Sequence, residues 1–289
     1  MEIFADMFNY QFMVRAITVG LLVSLCASLL GVSMVLKRYS MIGDGLSHVG
    51  FAALAAAAAA GTAPLKVAIP VCIAAAFLML RISENSKLKG DATVAIVCSG
   101  ALAIGVMIIS MSSGMNTDVN NYMFGSILSL SDEDALVSRI LSIIVVLLFI
   151  VFYNRIFAVT FDENFARATG TRAGLYNGIL AVLTAVTVVI GMRMMGALLI
   201  SSLIIFPSLS SMRICKRYRV VIISSVIISV VCFMIGITVS FTMSTPAGAS
   251  VVCANLVVFA ICSLIGALKG RVAVSYTHLR AHETPEHLV

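Results

Sequence analysis

Long runs of apolar residues, separated by short polar segments, dominate the chain. A bilayer core about 30 Å thick needs roughly 20 apolar residues of helix to cross it. Nine runs approach that length: 12–36, 43–61, 65–81, 92–112, 135–153, 175–192, 194–212, 220–241 and 248–268. The sixth and seventh meet at Gly191 to Met195, as a tight hairpin or a broken helix. The pattern predicts an all-α, polytopic transmembrane bundle with nine spans, or eight spans and one re-entrant segment.

Composition indicates lipid rather than water as the surroundings. Hydrophobic residues make up 61% of the 289 residues, charged residues only 11%, and the mean hydropathy is +1.09. A soluble domain carries about a quarter of its residues as charges. The net charge of +6 does not indicate nucleic acid, because the basic residues stand in short clusters between apolar runs. We therefore predict neither a soluble enzyme nor a nucleic-acid-binding protein.

The distribution of cations over the loops predicts the orientation. Lysine and arginine on short loops mark the cytoplasmic side. With the N-terminus outside, the outer loops carry only Lys66 and Arg193. The inner loops carry Lys37, Arg38, Arg81, Lys87, Lys89, Arg155, Arg167, Arg172, Arg213, Lys216, Arg217, Arg219, Lys269 and Arg271. We expect a multi-pass membrane protein with its N-terminus outside and its C-terminus in the cytoplasm.

The polar residues after the last run form a separate segment. No polar linker divides the apolar runs, so we predict one transmembrane domain over 1–271 and a polar tail over 272–289. The tail resembles a translated sequencing-adapter read-through more than a natural terminus, and we interpret it as non-native. The alternative is a metal-sensing tail, since His278 and His282 are four residues apart.

One carboxylate and one imidazole stand four residues apart in the second run. Asp44 and His48 would project from the same face of a helix, one turn apart. Ionisable groups in membrane spans are costly and are functional candidates by default. An oxygen and a nitrogen ligand so placed suit Zn²⁺, Mn²⁺ or Fe²⁺. The alternatives are a buried Asp–His hydrogen bond and an Asp44 cap at the helix start.

The inner loop from Thr160 to Arg172 predicts a short amphipathic helix. Phe161, Phe165 and Ala168 recur at helical spacing, and Gly170 ends the segment. Such a helix docks into a groove of a soluble protein or lies on the bilayer surface. The adjacent acids Asp162 and Glu163 favour a protein partner over anionic lipid.

The sequence contains no motif for binding ATP or cleaving a bond. A P-loop, a GxSxG motif and an HExxH motif are all absent from the chain. We therefore predict that the protein is not an enzyme. If it moves a solute against a gradient, the energy comes from another subunit or from an ion gradient.

Several segments in order resemble one family of membrane proteins. VLKRYSMIGDGLSHVGFAALA, KGDATVAIVCSGALAIGVMIIS, NNYMFGSILSLSDED, FDENFARATGT, RMMGALLISSLIIFPSLSS and STPAGASVV are similar to segments of the metal-ion ABC transporter permeases, the bacterial zinc and manganese importers. Each segment alone is a weak signal, and their shared order and spacing make the resemblance specific. It covers nearly the whole membrane portion, to about Gly270.

The resemblance implies partners, a substrate and roles for residues. It implies a homodimeric permease in the bacterial cell membrane, with cytoplasmic ATP-binding subunits that hydrolyse ATP and an extracytoplasmic metal-binding protein. Asp44 and His48 would line the metal path. The ATPase would contact the loop with Phe161, Asp162, Glu163, Phe165, Ala166 and Gly170. Divalent zinc or manganese, then iron, would be the substrate, with no permanently bound cofactor.

Two other functions stay open at the level of sequence. Inverted internal repeats with charged mid-span residues would favour a stand-alone secondary transporter or cation channel, and we find no convincing repeat. A permease for a larger ligand such as a siderophore or cobalamin would need a wide aromatic-lined cavity, and the chain has no tryptophan.

Overall fold

The computed structural model describes residues 9–85, 90–111 and 131–281, without the side chains of 83–93, Met194 and 269–281. The described residues form ten α-helices, and nine of these are long and apolar enough to cross a membrane. The helices are α1 (Gln11–Leu36), α2 (Ser40–Ala59), α3 (Pro64–Asn85), α4 (Gly90–Met111), α5 (Asp132–Phe161), α6 (Glu163–Ala168), α7 (Ala173–Met195), α8 (Ala197–Ile214), α9 (Tyr218–Met243) and α10 (Ala247–Ala281).

The predicted all-α bundle is confirmed, and two helices are longer than their apolar runs. Helix α5 continues eight residues beyond the predicted end at 153, and α10 continues to Ala281. Helix α5 also begins early, because Ser131 caps it: the Ser131 hydroxyl accepts a hydrogen bond from the Asp134 amide at 3.1 Å. The predicted basic positions Lys87, Lys89, Lys269 and Arg271 lie outside the described side chains, as do 112–130 and 282–289.

Polar contacts at the two ends of the bundle fix the direction of the helices. Lys37, at the end of α1, contacts the end of α5 and the start of α7. At the opposite end, the start of α5 meets both α1 and α7: Arg15 pairs with Asp132 at 2.7 Å, and Arg193 pairs with Asp134 at 2.6 Å. We call the end of the bundle that holds Lys37 the basic end.

Helices α7 and α8 form a hairpin joined by the single residue Gly196. Helix α7 starts at the basic end, where Asn177 contacts Lys37. Helix α8 leads into α9, and Tyr218 at the start of α9 hydrogen-bonds Ser33 of α1 at 2.9 Å, also near the basic end. Helix α8 therefore returns to the end from which α7 departs. This arrangement favours nine spans over eight spans with a re-entrant segment.

Small and hydroxyl residues let the central helices approach one another closely. On the seam between α1 and α9, the Ser229 hydroxyl donates to the Ser24 carbonyl at 3.0 Å. Lipid tails are as apolar as leucine, so the hydrophobic effect does not drive membrane helices together. They associate instead through close backbone packing and hydrogen bonds between helices. Helix α1 also approaches α8, where a methyl group at Gly31 would stand 2.1 Å from the Ile204 carbonyl oxygen. Helices α1, α2, α7 and α8 pack together around the centre, and α4 and α10 lie at the periphery.

The contact at Gly31 predicts a specific cost of one added methyl group. We expect Gly31→Ala to push α1 away from α8 and to lower the free energy of unfolding by about 1–3 kcal/mol. Gly100 of α4 is the matched control, because open space surrounds its missing side chain. Gly100→Ala should leave stability unchanged or raise it slightly, since alanine favours helix. Thermal unfolding of the purified variants in detergent measures both. Equal midpoints for the two variants would contradict this packing.

Candidate metal site and its surroundings

Asp44 and His48 lie in the half of α2 nearest the basic end and share one face of the helix. The His48 Nε2 atom stands 3.8 Å from the Asp44 Oδ2 atom. This distance exceeds a hydrogen bond. It is close to the separation of about 3.4 Å between two ligands that each bind one zinc ion at about 2.1 Å in tetrahedral geometry. Small rotations of the two side chains would let both atoms bind one ion.

Neither structural alternative for this pair agrees with the geometry. Helix α2 begins at Ser40, and its N-cap is Tyr39, so Asp44 stands past the cap. The side chains of Asp44 and His48 are 38% and 25% exposed, so the pair is neither buried nor hydrogen-bonded. Both groups remain available to a ligand.

The pair lies on a stripe of α2 that the described part of the chain covers only partly. Most of the helix is buried. Between Met41 and Ala57, the incompletely buried residues are Met41, Asp44, His48, Val49, Ala52 and Ala56. Their spacing of three or four residues places most of them on one face, which we call the uncovered stripe. After His48, as far as Ala56, the stripe carries only small apolar side chains. Asp44 and His48 are therefore its ionisable groups.

Close packing on the other faces of α2 holds the stripe in position. A methyl group at Gly43 would stand 3.3 Å from Ile204 of α8. A methyl group at Gly45 would stand 3.1 Å from the Met79 sulfur of α3 and 3.3 Å from the Cys98 sulfur of α4. Neighbouring helices therefore touch both sides of α2, and rotation of the helix would bring these atoms into collision.

One chain supplies too few ligands for a closed metal site. Within the described residues, no group of three or more histidine, cysteine, aspartate or glutamate side chains is placed to hold a metal ion. Zinc takes four ligands, and Mn²⁺ favours six oxygen-rich ones. Asp44 and His48 provide two, so a metal ion bound here would need further ligands beyond those that the described residues supply.

The predicted amphipathic loop forms helix α6, and its boundaries differ from the predicted ones. Helix α5 ends at Phe161, because Asp162 has an extended backbone with φ of −147°. The Asp162 side chain caps α6 by accepting from the Phe165 amide at 2.9 Å. Gly170 follows the helix with φ of 82°. Phe161 and Phe165 therefore belong to two helices, whereas the sequence pattern predicted one.

The two phenylalanines are nevertheless both exposed at the basic end. Phe161 is 58% exposed and Phe165 is 65% exposed. Ala166 is fully buried and packs with Val159 and Ala173, so it attaches α6 to the bundle and offers no surface to a partner. We call Phe161 and Phe165 the docking pair.

Glu163, the first residue of α6, points into a polar network. It accepts from Arg167 at 2.5 Å, from Asn177 at 3.2 Å and from Lys37 at 3.4 Å. Partial burial raises the pKa of the Glu163 carboxyl, but these hydrogen bonds and the charge of Lys37 outweigh it, so the pKa lies below its ordinary value. Sequence analysis missed this network, because Lys37 and Glu163 are 126 positions apart.

Nine apolar helices among the described residues define a polytopic membrane protein. The chain belongs to the ABC 3 transport family, whose model matches residues 9–266.

Individual relatives are similar over almost the whole chain. The manganese transport system membrane protein MntC of Halalkalibacterium halodurans is 25% identical over 280 residues, which is 97% of this chain and 96% of the relative. The high-affinity zinc uptake system membrane protein ZnuB of Haemophilus influenzae is 26% identical, over 86% of this chain and 96% of its own. The solved structure of PsaBC from Streptococcus pneumoniae in complex with Fab matches with a TM-score of 0.82 and 25% identity, over 90% of this chain and 94% of that one.

Proposed function

We propose that this chain is the membrane permease of an ATP-driven importer of divalent metal ions, with zinc or manganese as substrate and iron next in order. The accessible Asp44–His48 pair on a central helix is the observation that carries the proposal. Relatives named for manganese and zinc transport support it. Imidazole and carboxylate bind all three metals, so the pair suits the class of substrate without selecting one metal. Membership in an ABC transport family favours this function over a stand-alone transporter or channel.

In the proposed assembly, two copies of the chain bring their uncovered stripes together. Each copy would contribute one oxygen and one nitrogen ligand, which makes the four ligands that zinc requires. The small side chains of Ala52 and Ala56 would leave the space beside these ligands open for an ion. The metal is the substrate and stays bound only for part of each cycle, and no resident cofactor is required.

The partners follow from the two ends of the bundle. We place the basic end in the cytoplasm, since cations mark that side, and the N-terminus outside. Cytoplasmic ATP-binding subunits would dock on Phe161 and Phe165, and an extracytoplasmic metal-binding protein would deliver the ion to the opposite end. ATP hydrolysis belongs to the partner subunits, so the chain itself is not an enzyme.

Removal of the two ligands should abolish metal uptake without unfolding the protein. Asp44→Asn and His48→Gln keep the size of each side chain and remove, respectively, the carboxylate charge and the imidazole ligand. We expect uptake of ⁵⁴Mn²⁺ or ⁶⁵Zn²⁺ into proteoliposomes with the partner subunits to fall at least about tenfold, the cost of losing about 1.4 kcal/mol of binding.

Asp132→Asn is the matched control for this pair of variants. Asp132 is an exposed acid at the opposite end of the bundle, paired only with Arg15 among the described ion pairs. The Asp132→Asn variant should take up metal as well as the wild type. Wild-type uptake in the Asp44→Asn/His48→Gln double variant would show that the metal takes another path.

A charge on the docking pair should release the ATPase subunits. In Phe165→Asp, a carboxylate would replace a ring that the partner must cover, and burying an unpaired charge is strongly unfavourable. The purified permease should then elute from a sizing column without its ATPase. Asn164→Asp adds the same charge at the neighbouring exposed position and should keep the complex intact. If Phe165→Asp retains the ATPase, the docking pair is not the contact with the ATPase.

A further inference from the structure

The side chain of Lys37 joins three parts of the basic end. Lys37 follows the last residue of α1, and its side chain is only 6% exposed. Its ammonium group donates to the Val159 carbonyl at 3.2 Å, to Glu163 Oε2 at 3.4 Å and to the Asn177 side-chain oxygen. The three acceptors belong to α5, α6 and α7. One buried cation therefore links α1 to each of these helices.

Glu163 completes the link to α6 from the other side. Its Oε2 atom also accepts from the Asn177 amide at 3.2 Å, so Lys37, Glu163 and Asn177 form a closed triangle of hydrogen bonds. Glu163 is the first residue of α6, two positions before Phe165 of the docking pair. A movement of α6 away from the bundle would separate Glu163 from Lys37 and leave a buried cation with fewer partners. Because that is costly, α6 and Lys37 are expected to move together.

The turn after Lys37 connects the network directly to the metal-binding pair. Only three residues separate α1 from α2. The Tyr39 amide bonds back to the Met34 carbonyl at 2.8 Å, and the Ile42 amide bonds to the Tyr39 carbonyl at 2.9 Å. Arg38 has φ of 61°, a conformation that residues other than glycine rarely adopt, so the surrounding contacts must hold the turn in shape. Asp44 follows the start of α2 by four residues, a rise of about 6 Å.

We propose that Lys37 is the positioning residue that transmits movement of the ATPase-docking helix α6 to Asp44 and His48. The proposal rests on the proposed function, because it assumes that an ATPase binds the docking pair and that Asp44 and His48 bind the metal. In the described structure, α6 packs on α5 and α7 through Ala166, which touches neither Asp44 nor His48. The hydrogen-bonded triangle gives α6 a direct connection to the α1–α2 turn. The Lys37 side chain is almost fully buried, so it would act through these contacts and not by touching the metal or the ATPase.

The test separates coupling from assembly in the complete transporter. Lys37→Met keeps the length and apolar stem of the side chain and removes the cation. We expect this variant to retain the ATPase on a sizing column and to hydrolyse ATP, whereas the metal imported per ATP in proteoliposomes falls about tenfold. Lys37→Arg keeps the charge and should restore most of the ratio. Lys216→Met, the same change at an exposed lysine of the basic end, should match the wild type.

Two further variants protect the test against misfolding. Asn177→Leu and Glu163→Gln weaken the triangle without removing the cation, and each should lower the ratio of metal to ATP. A wild-type ratio of metal to ATP in Lys37→Met would overturn the proposal. If Lys37→Met fails to fold, a wild-type ratio in both Asn177→Leu and Glu163→Gln would overturn it. Loss of the ATPase from Lys37→Met would overturn it as well, because Lys37 would then shape the docking surface. Failure of the wild type to import metal would instead refute the proposed function.

Discussion

A polar group inside a bilayer must find its partners within the protein, because the hydrocarbon offers none. In the described structure, several charges of the bundle obey this constraint through specific pairs. Arg15 and Arg193 meet Asp132 and Asp134 at one end, and Lys37 meets Glu163 at the other. Against this background the pair on α2 differs, because Asp44 and His48 stand too far apart for a hydrogen bond. We propose that this incomplete pairing leaves both groups available to bind the transported metal ion.

The same constraint gives the two ends of the bundle different polar contacts. At the start of α5, Asp132 pairs with Arg15 and Asp134 pairs with Arg193. The basic end combines two exposed phenylalanines, the docking pair, with a shielded network around Lys37. In the proposed assembly, the ATPase would contact the docking pair and shift the network around Lys37. Asp44 lies within two helical turns of that network, whereas the arginine pairs lie at the far end.

The sequence predicted the spans well because bilayer thickness sets a length that hydropathy can measure. It could not predict that α5 continues past its apolar run to Phe161, since the ends of membrane helices are set by capping and packing. The spacing alone predicted that Asp44 and His48 share one face, because residues four apart on a helix lie on the same side. The burial of Ala166 and the contact of Lys37 with Glu163 depend on how distant segments pack. No local pattern in one sequence encodes such contacts.

The ligands of the transported ion can be identified by X-ray absorption spectroscopy of the assembled permease loaded with Zn²⁺. If Asp44 and His48 bind the ion, the spectrum should show only nitrogen and oxygen ligands at about 2.0–2.2 Å, with the multiple-scattering signature of imidazole. Sulfur atoms of Met79 and Cys98 lie next to Gly45, so potential sulfur ligands are close to the pair. A sulfur shell at about 2.3 Å would contradict the assignment and move the metal path away from Asp44 and His48.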